Sequence, residues 1–175
     1  MSVNTFLLGG MPIDLGEIAV MDYSHNKIHD GDVFMSHHYA GTVAGDGTLL
    51  FSVFSGTISP HLLFDIGVGG DARVRVTEGG TISGGTAVTV FNMNRNHAGS
   101  CLATVKHSGT LTGGTVINDM FIGGGVGPNS AGGGSRANHE IMALVSKTTT
   151  IEIVNITSAY PASIGVVFYE DNEND

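Results

Sequence analysis

The side chains in this sequence best suited to metal chemistry are its eight histidines. They are His25, His29, His37, His38, His61, His97, His107 and His139. A metal site on a strand would need two histidines at alternate positions, so that both rings lie on one face of the sheet. His37 and His38 are adjacent and would point to opposite faces. His25 and His29 would share a face only on a helix, which the Asn, Asp and Gly residues of this segment do not favour. We therefore predict no metal site.

Other motifs of catalysis and ligand binding are incomplete. The run from His29 to Asp32 has an Asp-Gly turn but lacks the remaining ligands of a calcium loop. The glycines at 123–134 are not followed by the Lys-Ser/Thr of a phosphate loop, and no serine stands in a Gly-x-Ser-x-Gly motif. The single cysteine, Cys101, lies in an apolar run and is expected to be a buried thiol. We predict that the protein is not an enzyme and has no cofactor.

Carboxylates and amides have structural interpretations. The acidic residues expected on or beside strands are too isolated in sequence to be paired as catalytic carboxylates; they are Asp65, Glu78, Glu140 and Glu152. The segment Asn92-Met93-Asn94-Arg95-Asn96 is typical of a turn whose side chains donate to and accept from the backbone. We predict that this turn holds loops together.

Composition and charge limit the partners. The chain of 175 residues is 41% hydrophobic and 13% charged, with a formal net charge of −9. Its seven Lys and Arg residues are scattered, whereas binding to phosphate backbones needs a clustered basic face. No apolar run reaches the length of a membrane span, and the first ten residues lack the basic region of a signal peptide. We predict one domain that binds neither nucleic acid nor membrane and that covers part of its weakly charged surface with a partner.

Glycine-punctuated runs of Val, Ile, Thr and Phe predict an almost entirely β-stranded fold. The best helical candidate is the stretch from Ile13 to Met21, whose apolar periodicity is weak. About ten strands at this spacing indicate an antiparallel β-sandwich of the jelly-roll type, with a barrel as the alternative. The predicted strands are Val33–Tyr39, Leu49–Ser55, His61–Val68, Ala72–Glu78, Thr86–Asn92, Cys101–His107, Val116–Ile122, Glu140–Val145, Thr149–Thr157 and Ser163–Tyr169.

The ends of the chain and one internal segment differ from this pattern. Residues 1–24 are predicted to be an extended N-terminal arm, 25–170 the sandwich domain and 171–175 an acidic tail. Residues 123–136 hold seven glycines and are predicted to be a long loop or an arm that contacts another subunit.

Several segments resemble, in their order, a known family of virus proteins. They are His25–His38, His61–Phe64, Val74–Glu78, Asn92–Asn96, His139–Leu144, Thr150–Thr157 and Val166–Glu170. In this order they resemble the small virion proteins of tailed bacteriophages, whose members include head decoration (cement) proteins with a jelly-roll-type fold.

The resemblance implies a structural protein made in the bacterial cytoplasm that binds the outer surface of the phage head. The implied partners are the major capsid protein and further copies of this chain, as a dimer or trimer. The alternatives are a tail- or fibre-associated adaptor of the virion and, third, a carbohydrate-binding module. The residues we expect to contact the capsid or another subunit are Phe6, Leu7, Leu8, Met11, Ile13 and Leu15 in the arm, and Val126, Pro128 and Arg136 in the glycine-rich segment.

Overall fold

The computed structural model of the protein describes residues 6–8, 11–13, 23–97, 99–124, 135–136 and 140–170. These residues form one short helix, α1 (Tyr23–Asp30), and fourteen strands. The strands are β1 (Phe6–Leu8), β2 (Met11–Ile13), β3 (Val33–Val43), β4 (Thr48–Phe54), β5 (His61–Val68), β6 (Ala72–Glu78), β7 (Thr81–Ala87), β8 (Phe91–Asn92), β9 (Thr104–Thr112), β10 (Thr115–Ile122), β11 (Ser135–Arg136), β12 (Ile141–Met142), β13 (Thr148–Asn155) and β14 (Tyr160–Tyr169).

Two antiparallel sheets pack face to face. The sheet that we call the front sheet has the order β11-β5-β14-β3-β8, with β12 also pairing to β5. The back sheet has the order β10-β6-β13-β4-β9-β7. Strands β1 and β2 pair with each other. This architecture confirms the prediction of an all-β antiparallel sandwich.

The core lies between the sheets and follows from the alternation of apolar residues along each strand. Leu62, Ile164 and Phe168 of the front sheet face Phe51 and Ile153 of the back sheet, and all five are nearly or fully buried. Burial of each such side chain contributes about 1.5–3 kcal/mol before entropy is counted. The two sheets are therefore held together mainly by residues at every second position of their strands.

The predicted strands are confirmed wherever apolar and polar residues alternate clearly. The strands His61–Val68 and Ala72–Glu78 have the predicted bounds. Strands β3, β4, β10, β13 and β14 contain or nearly match the predicted segments, with ends that differ by up to four residues. The alternating arginines of β6 face outward from the core.

Three predicted strands have the wrong bounds. The segment Thr86–Asn92 is divided between β7 and β8, and Cys101–His107 is replaced by β9, which begins at Thr104. Of Glu140–Val145, only Ile141–Met142 pairs as a strand. Strand β7 was not predicted because it contains Gly84 and Gly85, and adjacent glycines indicate a turn. In the structure both residues have positive φ values, of 68° and 84°, yet they lie within the paired strand.

The expectation that residues 25–29 are not helical is also wrong, because tertiary contacts stabilise α1. Gly31, with φ of 83°, follows the helix. The side chain of Asn92 donates from Nδ2 to the Gly31 carbonyl oxygen at 2.6 Å, and Asn94 donates from Nδ2 to the His29 carbonyl oxygen at 3.0 Å. The Asn-rich turn thus satisfies the free carbonyl groups at the end of the helix, which confirms its predicted role. Of the helix predicted for residues 13–21, Ile13 ends β2 and the rest lies outside the described residues.

Strands β7 and β9 continue the β6–β10 ribbon and fold back over the outer face of the back sheet. Glu78 pairs with Thr115, and Thr81 pairs with Thr112, so that two residues on each side separate the two parts of the ribbon. The far part of β9 then pairs with β4, beyond β13 in the sheet. Leu50 points outward from the back sheet yet is only 4% exposed. The returning ribbon therefore covers part of this face.

Candidate interaction surface

The outer face of the front sheet has an apolar row that crosses four neighbouring strands. Phe91 lies opposite Met35, Met35 opposite Val167, and Val167 opposite Leu63. Met35 and Leu63 are 38% exposed, and Phe91 is 37% exposed. Directly opposed side chains on adjacent strands lie within contact distance of one another. These four residues, which we call the apolar row, therefore form a continuous strip on the surface.

The sequence produces this row by placing apolar residues on both faces of the central strands. In β5, Leu62 is buried and Leu63 points outward; in β14, Val166 is buried and Val167 points outward. An antiparallel sheet with one wet face normally alternates apolar and polar residues. The two central strands depart from that alternation at the apolar row. Apolar strips of this kind on a protein surface are typical of contact sites.

Two aromatic rings extend the apolar row toward β12. The rings of His61 and Tyr169 stack with centroids 4.5 Å apart and an angle of 13° between their planes. Met142, opposite His61 in the register, is 52% exposed. Glu140 Oε1 accepts a hydrogen bond from the Tyr169 hydroxyl and lies 2.6 Å from His61 Nδ1. These hydrogen bonds, the one from Tyr169 above all, hold the pKa of Glu140 below its usual value. One carboxylate thus fixes both rings.

At the other end of the apolar row, a cation covers the last aromatic ring. The Arg95 guanidinium carbon lies 5.1 Å from the centre of the Phe91 ring. The turn that carries Arg95 is held by Asn92 Oδ1, which accepts from Asn94 N at 2.8 Å. A cation at this distance over an aromatic face is weakly attractive at an exposed site, by about 0.5–1 kcal/mol. Arg95 therefore provides a positively charged rim to the row.

A polar depression lies beside the apolar row on the same face. His37 and Asp65 flank Gly165 across three strands, and in the next register Ser163 separates Tyr39 from Gly67. Because the two glycines have no side chains, these residues enclose a depression of about 370 Å³. Tyr39 is 64% exposed and offers one aromatic ring, whereas the flanking carboxylate, imidazole and hydroxyl groups offer hydrogen bonds. This combination could hold a small polar ligand.

The back sheet presents a different outer face. Arg75 and Glu152 form an ion pair at 3.3 Å, and Arg73 Nε donates to Asp119 Oδ1 at 2.7 Å. The hydrogen bond from Arg73 lowers the pKa of Asp119. The β7–β9 ribbon covers the part of this face that includes Leu50. The back sheet therefore exposes ion pairs, a folded-over ribbon and apolar side chains such as Phe54 and Phe121, whereas the front sheet exposes the apolar row.

Cys101 is only partly buried, rather than fully buried as the sequence predicts. Cys101 donates from Sγ to the Ala103 carbonyl oxygen at 3.2 Å, and burial, with the charge of Glu170, raises the pKa of its thiol to about 11. Among the described residues, no group of three or more His, Cys, Asp and Glu side chains is placed to hold a metal ion. Within the same residues, no helix has the length and apolar character to cross a membrane.

The residues predicted from the sequence to make contacts fall largely in other places. Phe6, Leu7 and Leu8 lie on β1, and Met11 and Ile13 on β2. Arg136 lies on β11, where it pairs with Asp65 at the edge of the front sheet. The other three predicted residues lie outside the described residues; they are Leu15, Val126 and Pro128.

Sequence reasoning missed the apolar row, although a signal for it was present. The adjacent apolar pairs Leu62-Leu63 and Val166-Val167 indicate two apolar faces, but they do not reveal which strands are neighbours. Only the order β5-β14-β3-β8 aligns the outward residues. Comparisons of this chain with known protein families, with curated proteins and with solved structures found no match.

Proposed function

We propose that this chain is a non-enzymatic structural protein that decorates and stabilises the head of a tailed bacteriophage. In this proposal the outer face of the front sheet binds the major capsid protein on the outside of the shell. The observation that carries the proposal is the apolar row, because exposed apolar strips on a rigid sheet face favour protein contact over catalysis. The capsid protein is proposed as the partner because of the resemblance to phage decoration proteins.

The strand order supports the jelly-roll part of the proposal. Successive strands β3, β4, β5 and β6 alternate between the front and back sheets, and β13 and β14 do so again. As a result β14 lies between β3 and β5, and β13 lies between β4 and β6. Long connections that place late strands between early ones are the Greek-key feature from which jelly rolls are built. The β7–β9 ribbon is then an addition at one edge.

The net charge of the chain, and the repeated contacts that a capsid lattice allows, are consistent with a position on the outside of a shell. A net charge of −9 does not suit contact with packaged DNA. On a lattice, a protein that binds as a dimer or trimer gains affinity from simultaneous contacts, so that each face needs only a modest strip of apolar surface. Virion placement on the outer surface of the head is therefore the location that we propose.

The experiment is a cosedimentation assay with expanded capsids that lack the protein. Wild-type protein is expected to bind saturably at hundreds of copies per shell and to raise the temperature at which the shells open. Leu63→Glu, which places a charge at the β5 end of the apolar row, is expected to reduce binding at least about tenfold, since an unpaired charge would be buried at the contact. Phe121→Glu is the matched control, because Phe121 is 63% exposed on the back sheet.

Two further results would change the proposal. Equal binding by wild-type protein and Leu63→Glu would exclude the apolar row as the contact. Binding at a dozen copies or fewer per particle would favour the tail- or fibre-associated adaptor. Deletion of residues 2–15 tests the predicted arm separately: lost binding with an intact fold would support the arm, and retained binding would leave the front sheet as the contact.

The polar depression supports a second candidate function, the binding of a carbohydrate. An exposed aromatic ring beside a carboxylate and hydroxyl groups can stack on a sugar and accept its hydrogen bonds. If this is the function, the isolated protein binds a glycan on an array, and Tyr39→Ala removes that binding. Leu63→Glu would leave glycan binding unchanged, so the two candidate functions are separable by the two variants.

A further inference from the structure

Two histidines on α1 bring their side-chain nitrogens together on the protein surface. His25 and His29 are four residues apart, which places them on neighbouring turns of one helix face. Their Nε2 atoms are 3.0 Å apart, and their ring centroids are 4.7 Å apart with the rings at 62°. Both residues are exposed. The two nitrogens are thus accessible to a solute and close enough to share one.

From this geometry we infer that His25 and His29 form a binding site for one divalent transition-metal ion. Imidazole nitrogen is a preferred ligand for Zn²⁺, Ni²⁺ and Cu²⁺, and two histidines at this helical spacing are a known way to hold zinc. With metal–nitrogen bonds of about 2.05 Å, nitrogens 3.0 Å apart subtend an angle of about 94° at the metal. This is close to the angle between adjacent ligands in octahedral or square-planar coordination.

A tetrahedral ion would need only a small adjustment. At the tetrahedral angle the two nitrogens would be about 3.3 Å apart, which is about 0.3 Å more than in the structure. Both side chains are exposed and can make that change by rotation about their own bonds. Square-planar and octahedral ions therefore fit directly, and Zn²⁺ fits after a minor movement.

The electrostatic surroundings favour a cation at this position. His29 lies in the last turn of α1, where the partial negative charge of the helix terminus attracts positive charge. The nearest cation along the helix, Lys27, has an ion pair with Asp32 at 3.6 Å. The chain as a whole has a net charge of −9. A bound dication would meet little repulsion here.

The site supplies two ligands, and the rest of the coordination is left to water or to a side chain from a second molecule. Among the described residues there is no third His, Cys, Asp or Glu placed to complete it. The alternative role of the pair is a single hydrogen bond between the two rings, which would contribute a few tenths of a kcal/mol to the helix. Metal titration distinguishes these two functions.

The test is calorimetric titration of untagged, chelator-treated protein with ZnCl₂ and, separately, NiCl₂. Wild-type protein is expected to bind one ion per chain at this site, and both His25→Gln and His29→Gln are expected to weaken binding at least about tenfold, since each variant loses an intramolecular second ligand. The matched control is His37→Gln, which removes an exposed histidine of β3. It is expected to bind as the wild type does.

A second measurement guards against variants that misfold. Ligand binding to the folded state raises the melting temperature by mass action, so zinc is expected to raise it for the wild type and for His37→Gln but not for His29→Gln. Circular dichroism without metal would show whether all variants keep the β fold. Folded His25→Gln and His29→Gln proteins that bind zinc as strongly as the wild type would overturn the inference.

Discussion

Asn155 donates from Nδ2 to the carbonyl oxygen of Val43 at 2.9 Å, and this bond joins the ends of strands in opposite sheets. The same amide nitrogen also lies 2.9 Å from the Ala44 carbonyl oxygen and 3.1 Å from that of Ser158. The side-chain oxygen accepts from Thr157 N at 2.8 Å. One fully buried amide therefore organises two loops at one end of the sandwich.

Replacement of Asn155 by alanine is expected to lower the free energy of unfolding by about 2–4 kcal/mol, because several backbone groups lose their partner in a buried site. Urea denaturation followed by circular dichroism measures this change. The control is Asn96→Ala, in the exposed part of the Asn-rich turn, which is expected to change stability by less than about 1 kcal/mol. A loss below about 1 kcal/mol for Asn155→Ala would show that water replaces the amide.

The titration of Glu170 is expected to make the free energy of unfolding depend on pH. Its carboxylate accepts from Ala103 N at 2.9 Å and from Leu102 N at 3.0 Å, yet burial raises its pKa above the usual value of 4.5. Between the usual pKa and the raised one, the folded protein binds more protons than the unfolded protein. This carboxyl group therefore makes the free energy of unfolding fall as pH rises through that interval.

The variant Glu170→Gln isolates this contribution. We subtract the unfolding free energy of Glu170→Gln from that of the wild type. This difference is expected to fall as pH rises from about 4 toward neutrality, because the wild type loses stability relative to the variant. Urea denaturation at several pH values measures the difference, in which the titration of all other groups cancels. A difference that rises over the same interval would mean that the two backbone hydrogen bonds outweigh burial and lower the pKa.

The sequence predicts the fold class and most of the central strands because those strands are specified by local alternation. In Ala72–Glu78 every second residue is apolar, and the strand has the predicted bounds. The same is true of His61–Val68, which is bounded by Pro60 and Gly69. Periodicity of this kind depends only on neighbouring residues, so it can be read without knowledge of strand order.

Features that depend on distant residues could not be predicted in this way. Helix α1 is composed of weak helix formers and is held by Asn92 and Asn94, more than sixty residues away. The apolar row requires the order of four strands, and the His25–His29 pair requires that helix. Each of these sites therefore arises from tertiary contacts that override local propensity.

The titration of His38 is expected to lower the stability of the protein in mild acid. It stacks on His107 of the back sheet with centroids 3.6 Å apart, and burial, together with the nearby His107 and His37, lowers its pKa. Because the folded protein then binds fewer protons than the unfolded one, this group makes stability fall as pH drops below about 6.5. His38→Phe keeps a ring against His107 but cannot titrate.

The melting temperature of His38→Phe is therefore expected to depend less on pH between about 7 and 5 than that of the wild type. Differential scanning calorimetry at matched ionic strength measures both curves. Parallel curves for the two proteins would assign the acid sensitivity to other groups.

Cys101 is expected to react slowly in the folded protein. With a pKa of about 11, its thiol is rarely ionised near neutral pH, and only the thiolate is nucleophilic. Alkylation by iodoacetamide at about pH 8 should be at least about tenfold slower in native protein than in urea, even after the greater nucleophilicity of a more basic thiolate is counted. Mass spectrometry of timed samples measures both rates. Equal rates would contradict the partial burial of this thiol.

Two adjacent glycines test how the β7–β9 ribbon folds over the back sheet. Gly113 and Gly114 have φ values of 70° and 93°, so alanine is strained at both positions. A Cβ atom at Gly113 would have no atom within 4 Å, whereas one at Gly114 would lie 2.7 Å from Thr77 Cγ2 and 2.8 Å from Gly80 N. Gly113→Ala is expected to cost about 1–2 kcal/mol from backbone strain alone.

Gly114→Ala is expected to cost at least about 1 kcal/mol more than Gly113→Ala, because the backbone of Gly80 must move to admit the methyl group. Since the strain of positive φ is common to both variants, the difference measured by urea denaturation reports the close approach of the two strands where the ribbon bends. Similar losses for both variants would mean that the ribbon can shift at this bend without loss of its packing over Leu50.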